Sequence, residues 1–265
     1  MNAPSESTLP ILLREDWEGV ATLTLNRPPQ FNSLSEEMLG ELQGALNAIA
    51  RDASVRAVVI AGAGKAFCAG HDLKQMRANH DKAYMQKLFR QCGKVMMTIT
   101  EMPQPVIARI HGIATAAGCQ LVAMCDLAVA AEAAKFAVSG INVGLFCATP
   151  SVALGRAMGR KEAMEMLLTG DFIDAAEAQR RGLINRVVPL EQLDAEVKKL
   201  TDSICAKSAV AVAMGKQMFY KQLEMGLDGA YQLASETMAC NMMADDAAEG
   251  IDAFMQKRKP EWKGS

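Results

Sequence analysis

Two short stretches of small residues stand where the chain passes from a strand pattern into a helix pattern. They are residues 65–72, KAFCAGHD, and residues 111–120, HGIATAAGCQ. Small side chains at such a turn leave peptide N–H groups uncovered, and the helix that follows directs its positive end at the same place. Two turns of this kind, brought together, would hold a developing negative oxygen between their N–H groups. We therefore expect chemistry on a carbonyl compound.

The elements around these turns alternate between strand and helix patterns. A hairpin is predicted over 11–26, and Ser35 is placed to cap the helix that follows. Apolar runs predict buried strands over 55–61, 105–110 and 127–131. Residues 75–82 are polar and predict a mobile connecting segment. From residue 151 the pattern becomes mostly helical, with three or four amphipathic helices predicted over 190–259. Strands and helices in one repeated order favour an α/β fold with parallel strands.

The composition describes an ordinary globular protein and excludes several classes. Of 265 residues, 50% are hydrophobic and 22% are charged, which leaves no signature of disorder. The net charge is −2, and no basic face or RNA-binding signature stands out, so we expect no nucleic-acid partner. Seven irregularly spaced cysteines lack metal-ligand spacing, which favours reduced thiols over a disulfide framework and predicts no metal site.

The N-terminus carries no recognisable targeting signal. Its first residues, MNAPSESTLP, show neither a basic region followed by an apolar core nor an Arg-rich amphipathic stretch. The apolar runs fall short of the ~18 residues that a membrane span needs. On these grounds the sequence predicts a cytoplasmic protein without a membrane span.

Motifs along almost the whole chain resemble the crotonase superfamily, also called the enoyl-CoA hydratase/isomerase family. In order, they are NRPPQFNSL at 26–34, AFCAGHDL at 66–73, HGIATAAGCQLVAMCDLAVA at 111–130, the segment 170–189, and EGIDAFMQKRKPEW at 249–262. The resemblance implies the crotonase (ClpP-like) fold, which is a spiral of ββα units with a C-terminal helical trimerisation region. It divides the chain into a disordered tail over 1–9, a spiral core over 10–195 with the acyl-CoA site, and a helical region over 196–265.

The resemblance also implies a ligand and an assembly. Such proteins bind an acyl-CoA as substrate, need no further cofactor, and assemble as homotrimers or hexamers. The thioester oxygen would lie between the backbone N–H groups of His71 and Ala117. The substrate would further contact Phe31, Ala69, Asp72, Leu73, Lys74 and Lys257. For Lys257, the alternative is a solvated helix end that complements the helix dipole.

The sequence departs from the family pattern at the acid–base positions. Hydratases of this family share proton transfer between two glutamates, which a tuned carboxylate can perform near neutral pH. Here Gln120 stands at the first position, and Gly140 stands at the second. General acid–base catalysis is worth ~10²–10⁴-fold, so losing both groups should remove most hydratase activity while the backbone donors remain.

Three functions therefore stay open. The first is an enoyl-CoA hydratase-like lyase or isomerase of fatty acid metabolism, with weak or altered activity. The second is decarboxylation, or other enolate chemistry, on a carboxylated acyl-CoA, because some decarboxylating members also carry a histidine in an AGHD turn. The third is acyl-CoA binding without turnover. Gln120 could hold a water or a polar group of the substrate, and Cys147 either faces the acyl group or is inert packing.

Overall fold

The computed structural model describes residues 10–265, so the tail predicted over 1–9 lies outside the described residues. The hairpin predicted over 11–26 comes first, and further strands follow it. The strands are β1 (Leu12–Trp17), β2 (Val20–Leu25), β3 (Ala57–Gly62), β4 (Ala66–Cys68), β5 (Val106–Ile110), β6 (Ile113–Thr115), β7 (Leu127–Ala131), β8 (Lys135–Ala137), β9 (Ile173–Asp174) and β10 (Arg186–Val188).

Successive strands of each unit enter different sheets. One sheet has the order β1-β2-β3-β5-β7-β10, and the other has the order β4-β6-β8-β9. From β2 to β10 the first sheet is parallel, and β4, β6 and β8 are parallel in the second. A chain that runs repeatedly through both sheets in one direction winds as a spiral. The predicted α/β spiral of ββα units is therefore confirmed.

Helices cover the sheets and form the C-terminal region. They are α1 (Glu36–Ile49), α2 (Leu73–Ala78), α3 (Lys82–Glu101), α4 (Ala117–Met124), α5 (Ala148–Ala157), α6 (Arg160–Thr169), α7 (Ala175–Arg180), α8 (Leu193–Cys205), α9 (Ala209–Gln222), α10 (Leu227–Met242) and α11 (Asp245–Gln256). Within the described residues, none of these helices is both long enough and apolar enough to cross a membrane.

The helix α2 lies where the sequence predicted a mobile connecting segment. The Asp72 carboxylate caps it by accepting hydrogen bonds from the N–H groups of Lys74 (3.1 Å) and Gln75 (3.2 Å). Met76 is buried on its inner face. A side-chain cap and one buried apolar contact are thus enough to order this short helix.

The main core lies between the first sheet and the helices α1 and α3. The apolar residues of α1 recur every three or four positions, and Leu39, Leu42 and Leu46 are fully buried. Burial of each such side chain contributes about 1.5–3 kcal/mol. Ser35 Oγ accepts a hydrogen bond from the N–H of Met38 at 3.1 Å, so the predicted helix cap is confirmed.

A buried ion pair attaches the C-terminal helices to this core. Lys216 of α9 places Nζ 2.7 Å from Asp126 Oδ2 and donates hydrogen bonds to the carbonyl oxygens of Ile99 and Gln104. Tyr220 donates a hydrogen bond to the same carboxylate at 2.8 Å. The division predicted after residue 195 falls inside α8, and it stays a prediction.

Candidate functional site

The two small-residue turns of the sequence are in direct contact. Gly70 has a φ of 88°, and a Cβ atom there would lie 2.8 Å from Ala116 Cβ and 3.1 Å from the nitrogen of Ala117. A Cβ atom on Gly118 would overlap the carbonyl oxygen of Cys68. Contacts this short leave no space for a side chain, so glycine at both positions lets the turns approach each other.

The second turn is strained just before its helix. Ala116 has φ 49° and ψ −120°, a region that glycine prefers and that costs other residues about 1–3 kcal/mol. Its N–H donates a hydrogen bond to Ala137 O at 2.9 Å, which holds it in place. Helix α4 then begins at Ala117 without a side-chain cap. As the first residue of α4, Ala117 has an N–H without an acceptor inside the helix.

The peptide of His71 is oriented by its neighbours. Leu34 donates its N–H to Gly70 O at 2.7 Å and accepts the N–H of Asp72 at 3.3 Å, which makes a parallel bridge to His71. In such a bridge the peptides on either side bond to the partner, so the N–H of the central residue points the other way. On that other side β4 pairs with β6, which leads into the turn at Ala116.

An apolar cavity of about 240 Å³ lies beside both turns. Its wall includes Leu73 and Met76 of α2, Phe89 of α3, residues of both turns, and residues of the segment 139–150. Among the described residues that line it, none is an aspartate, glutamate, lysine or arginine. The wall therefore carries no charged side chain unless His71 or Cys147 ionises.

His71 places a neutral imidazole in this wall. Its ring lies edge-to-face with that of Phe89, at a centroid distance of 5.3 Å. Its Nε2 atom is buried without a hydrogen-bond partner among the described residues. Burial lowers the pKa of His71 to about 4, so the ring is uncharged at neutral pH.

Gly140 and Cys147 lie next to each other in the part of the cavity wall formed by residues 139–150. A Cβ atom on Gly140 would lie 2.5 Å from the carbonyl oxygen of Leu145 and 2.7 Å from Cys147 Sγ. Cys147 is 7% exposed, and burial raises the pKa of its thiol. The space beside Gly140 is therefore filled by backbone and sulfur, and the thiol is protonated at neutral pH.

Comparison with known proteins places this chain in a family. The family profile for enoyl-CoA hydratase/isomerase matches residues 15–265. The chain belongs to that family. Members act on acyl-CoA substrates and typically form oligomers, and the predicted resemblance is confirmed over nearly the whole length.

Two relatives and two solved structures show how near the match is. Enoyl-CoA hydratase domain-containing protein 3, mitochondrial, is 46% identical in Mus musculus, over 98% of this chain and 87% of the mouse protein. The Homo sapiens protein is 45% identical over 92% of this chain and 81% of its own length. A crystal structure of enoyl-CoA hydratase from Mycobacterium smegmatis is 60% identical, with a TM-score of 0.94, and covers 96% of this chain and 99% of that one. The human domain-containing protein 3 structure is 44% identical, with a TM-score of 0.93, and covers 96% and 100%.

The relatives overturn one prediction from the sequence. The mouse, Xenopus laevis and human proteins are named mitochondrial, so the cytoplasmic location predicted from the first ten residues is wrong. The error has a physical reason, because location is carried by targeting segments that the folded domain does not need. Composition and fold therefore say nothing about the compartment.

The fold brings only some of the predicted site residues to the cavity. Those that line it are Ala69, His71, Leu73, Ala117, Gly140 and Cys147. Those that are not part of its wall are Phe31, Asp72, Lys74, Gln120 and Lys257. Gln120, in the first turn of α4, is 4% exposed, and its Oε1 atom is buried without a partner among the described residues.

Sequence reasoning missed the aliphatic and aromatic part of the cavity wall. Met76, Phe89, Val143 and Phe146 all contribute to it. The spacing of apolar residues in a helix gives only its buried face and not the neighbour that this face meets. The missing signal is a long-range contact, such as that between Phe89 and His71.

Proposed function

We propose that this protein binds an acyl-CoA and stabilises the enolate of its thioester between the N–H groups of His71 and Ala117. The observation that carries the proposal is the contact of the two turns at Gly70, where the His71 N–H points away from Leu34 and Ala117 opens helix α4. A preorganised donor of this kind is worth about 2.7–4 kcal/mol where it has been measured. The acyl chain would occupy the apolar cavity beside His71.

The rest of the substrate would run along the surface next to the first turn. We assign its contacts to Phe31, Ala69, Asp72, Leu73 and Lys74, with Lys257 near the CoA phosphates. Phe31 and Leu73 are exposed apolar side chains, which supports a contact with the pantetheine or the adenine. Lys257 directly follows the last residue of α11 and has a φ of 55°.

Efficient hydration of an enoyl-CoA does not fit this cavity. Hydration needs a group that delivers water and a proton. Gln120 cannot exchange a proton at physiological pH, Gly140 has no side chain, and the Cys147 thiol is protonated. The nominal enoyl-CoA hydratase activity is therefore weak or replaced by other chemistry of the enolate.

One observation favours decarboxylation as a second candidate function. The carboxylate of such an acyl group would be desolvated in this cavity, and no lysine or arginine in the described part of the chain lines the cavity to pair with it. The bound carboxylate is therefore destabilised relative to the state after CO₂ has left. Loss of CO₂ produces the enolate directly, so no protein base is required. The neutral ring of His71 lies in the same wall.

We also propose a homotrimer or a hexamer as the working assembly. Large apolar side chains on the last three helices and the segments between them are exposed in the single chain, and exposed apolar patches of this kind mark interfaces. They are Phe219, Leu223, Met225, Leu227, Tyr231, Met238, Met242, Met243, Ile251, Phe254 and Met255.

Exchange of the α-protons of butyryl-CoA tests the enolate step in D₂O that contains a small soluble base such as imidazole to take up the proton, because no carboxylate side chain of residues 10–265 lines the cavity. Crotonyl-CoA hydration and malonyl-CoA decarboxylation are measured beside it, and calorimetry measures binding. Substitution Ala117→Pro removes one N–H at the first position of α4 and should lower exchange about 10²–10³-fold in protein that circular dichroism shows to be folded, since Ala116 before it is not extended. Arg160→Pro, at the first position of α6, is the matched control.

The outcomes separate the functions. Exchange with little hydration supports the proposed enolate site, and CO₂ release from malonyl-CoA favours the second candidate. Binding of butyryl-CoA without exchange or any product means a binding protein without turnover. If none of these thioesters binds, the proposal is wrong.

A further inference from the structure

The first turn is held by a side chain that the proposed reaction does not use. Arg27 stands in the loop after β2, and its guanidinium donates a hydrogen bond to Ser33 O at 2.9 Å and another to Asp72 Oδ2 at 3.1 Å. Its own N–H donates to Asn32 Oδ1 at 2.9 Å. Arg27 therefore joins two segments that are 39 residues apart in the sequence, Ser33 and Asp72.

The two acceptors of Arg27 are the neighbours of a bridged pair. Ser33 precedes Leu34, and Asp72 follows His71, while Leu34 and His71 form the parallel bridge. The guanidinium therefore connects the residue before Leu34 to the residue after His71. Since the bridge sets the direction of the His71 N–H, both contacts of Arg27 lie one residue away from the pair that orients this N–H.

The arginine is built into the site rather than lying on the surface. The side chains of Arg27 and Asp72 are 18% and 14% exposed. Burial raises the pKa of Asp72, but hydrogen bonds from the Gln75 N–H and from Arg27 outweigh that effect, so the pKa lies below its usual range. Asp72 also caps α2, which supplies Leu73 and Met76 to the cavity wall.

We infer that Arg27 is a positioning residue, which fixes the direction of the His71 N–H and the placement of α2 through its paired contacts with Ser33 and Asp72. This inference rests on the proposed function of the His71 N–H. Lysine cannot replace arginine here, because a single ammonium group lacks the fork that reaches both acceptors.

Four variants test this role against the intact protein. Arg27→Met removes both contacts, Arg27→Lys retains the charge, and Asp72→Asn retains a capping oxygen for α2 while removing the charged partner. Arg109→Met is the matched control. Arg109 is 22% exposed and also pairs with an aspartate, Asp194, but it does not line the cavity.

The first readout is the rate of α-proton exchange of butyryl-CoA. A misplacement of about 1 Å can cost 10²-fold in rate, so Arg27→Met should lower kcat by about tenfold to a hundredfold with KM changed less than about threefold. Arg27→Lys and Asp72→Asn should fall between this variant and the unmodified chain. A structural role alone would lower the unfolding temperature and leave kcat of the folded protein unchanged, as expected for Arg109→Met.

The second readout does not depend on catalysis. Hydrogen–deuterium exchange of the backbone amides over 69–78 should be faster in Arg27→Met and unchanged in Arg109→Met. If kcat and these amides both match the unmodified chain, the inference is wrong. If the unmodified chain exchanges no α-protons, the enolate proposal fails, and the amides alone then decide whether Arg27 positions the turn.

Discussion

The sulfur atom of Cys147 lies 2.7 Å from the point that a Cβ atom on Gly140 would occupy. The carbonyl oxygen of Leu145 is closer still, at 2.5 Å, and the N–H of Leu145 donates a hydrogen bond to Gly140 O at 2.9 Å. Position 140 therefore lacks the space for the glutamate that the family resemblance implies there. The segment 140–147 is folded so that its own atoms take the space beside residue 140.

A side chain at position 140 should destabilise the protein. We expect Gly140→Ala to lower the free energy of unfolding by about 1–3 kcal/mol, because the new methyl group meets a backbone oxygen that cannot move independently. Urea unfolding measures the change. Gly155→Ala is the control, since nothing lies within 4 Å of its Cβ position in α5, and there we expect a gain of about 0.5–1 kcal/mol.

The same contact predicts that a carboxylate cannot simply be restored. Gly140→Glu combined with Gln120→Glu should not raise crotonyl-CoA hydration above that of the unmodified chain, provided the variant is folded by circular dichroism. An increase of about 10²-fold, the lower range of general acid–base catalysis, would mean that the segment moves aside. The cavity would then need only its carboxylates to act as a hydratase.

Relief of strain at Ala116 should stabilise the second turn. The strain at φ 49° and ψ −120° is about 1–3 kcal/mol, whereas glycine costs about 0.5–1 kcal/mol in backbone entropy. We therefore expect Ala116→Gly to raise the free energy of unfolding by up to about 2 kcal/mol. In the last turn of α4, where the backbone is regular, Ala123→Gly should lower it by about 0.5–1 kcal/mol. A loss of stability in both variants would contradict the strain.

The sequence was sufficient for the parts of the structure that follow from local rules. Alternating and periodic apolar residues predicted the hairpin and the strands, and the Ser35 cap was predicted from one residue type at one position. The sequence also predicted the two small-residue turns, whereas their contact at Gly70 and Gly118 came from the structure. The resemblance supplied the order in which these units wind.

Other features depend on contacts that cannot be predicted from the spacing of residues in the sequence. The helix α2 was missed because its six residues are polar apart from Leu73, Met76 and Ala78, and its stability comes from the Asp72 cap. The burial of Gln120 outside the cavity wall depends on how α4 is rotated. The approach of Cys147 to Gly140 depends on a reversal at Gly144, which has a φ of 78°.

Protonation of His71 should weaken the fold in mild acid. Burial lowers its pKa to about 4, whereas the unfolded chain has the ordinary value of about 6.5. As the pH falls from about 6.5 towards 4, the unfolded state takes up a proton that the folded state does not. Stability should therefore fall by about 1.4 kcal/mol per pH unit in that range, roughly 3 kcal/mol in all.

Urea unfolding at several pH values isolates this contribution. Carboxylates also titrate in this range, so the quantity to follow is the difference between the unmodified chain and His71→Gln. That difference should shrink by the stated amount as the pH falls. His80→Gln, at an exposed histidine, controls for the loss of an imidazole elsewhere in the chain. If the difference in unfolding free energy between the unmodified chain and His71→Gln does not change with pH, the His71 ring is solvated in solution.

The exposed apolar side chains of the last helices should hold the oligomer together. Phe254, on α11, is 85% exposed in the single chain. Light scattering should give a mass of three or six times 28.5 kDa for the unmodified protein. Phe254→Glu should shift it towards the single chain, because a charge buried in an apolar interface is costly unless paired. Leu190→Glu, at an exposed apolar residue outside these helices, should keep the assembly, and a monomeric unmodified protein would contradict the prediction.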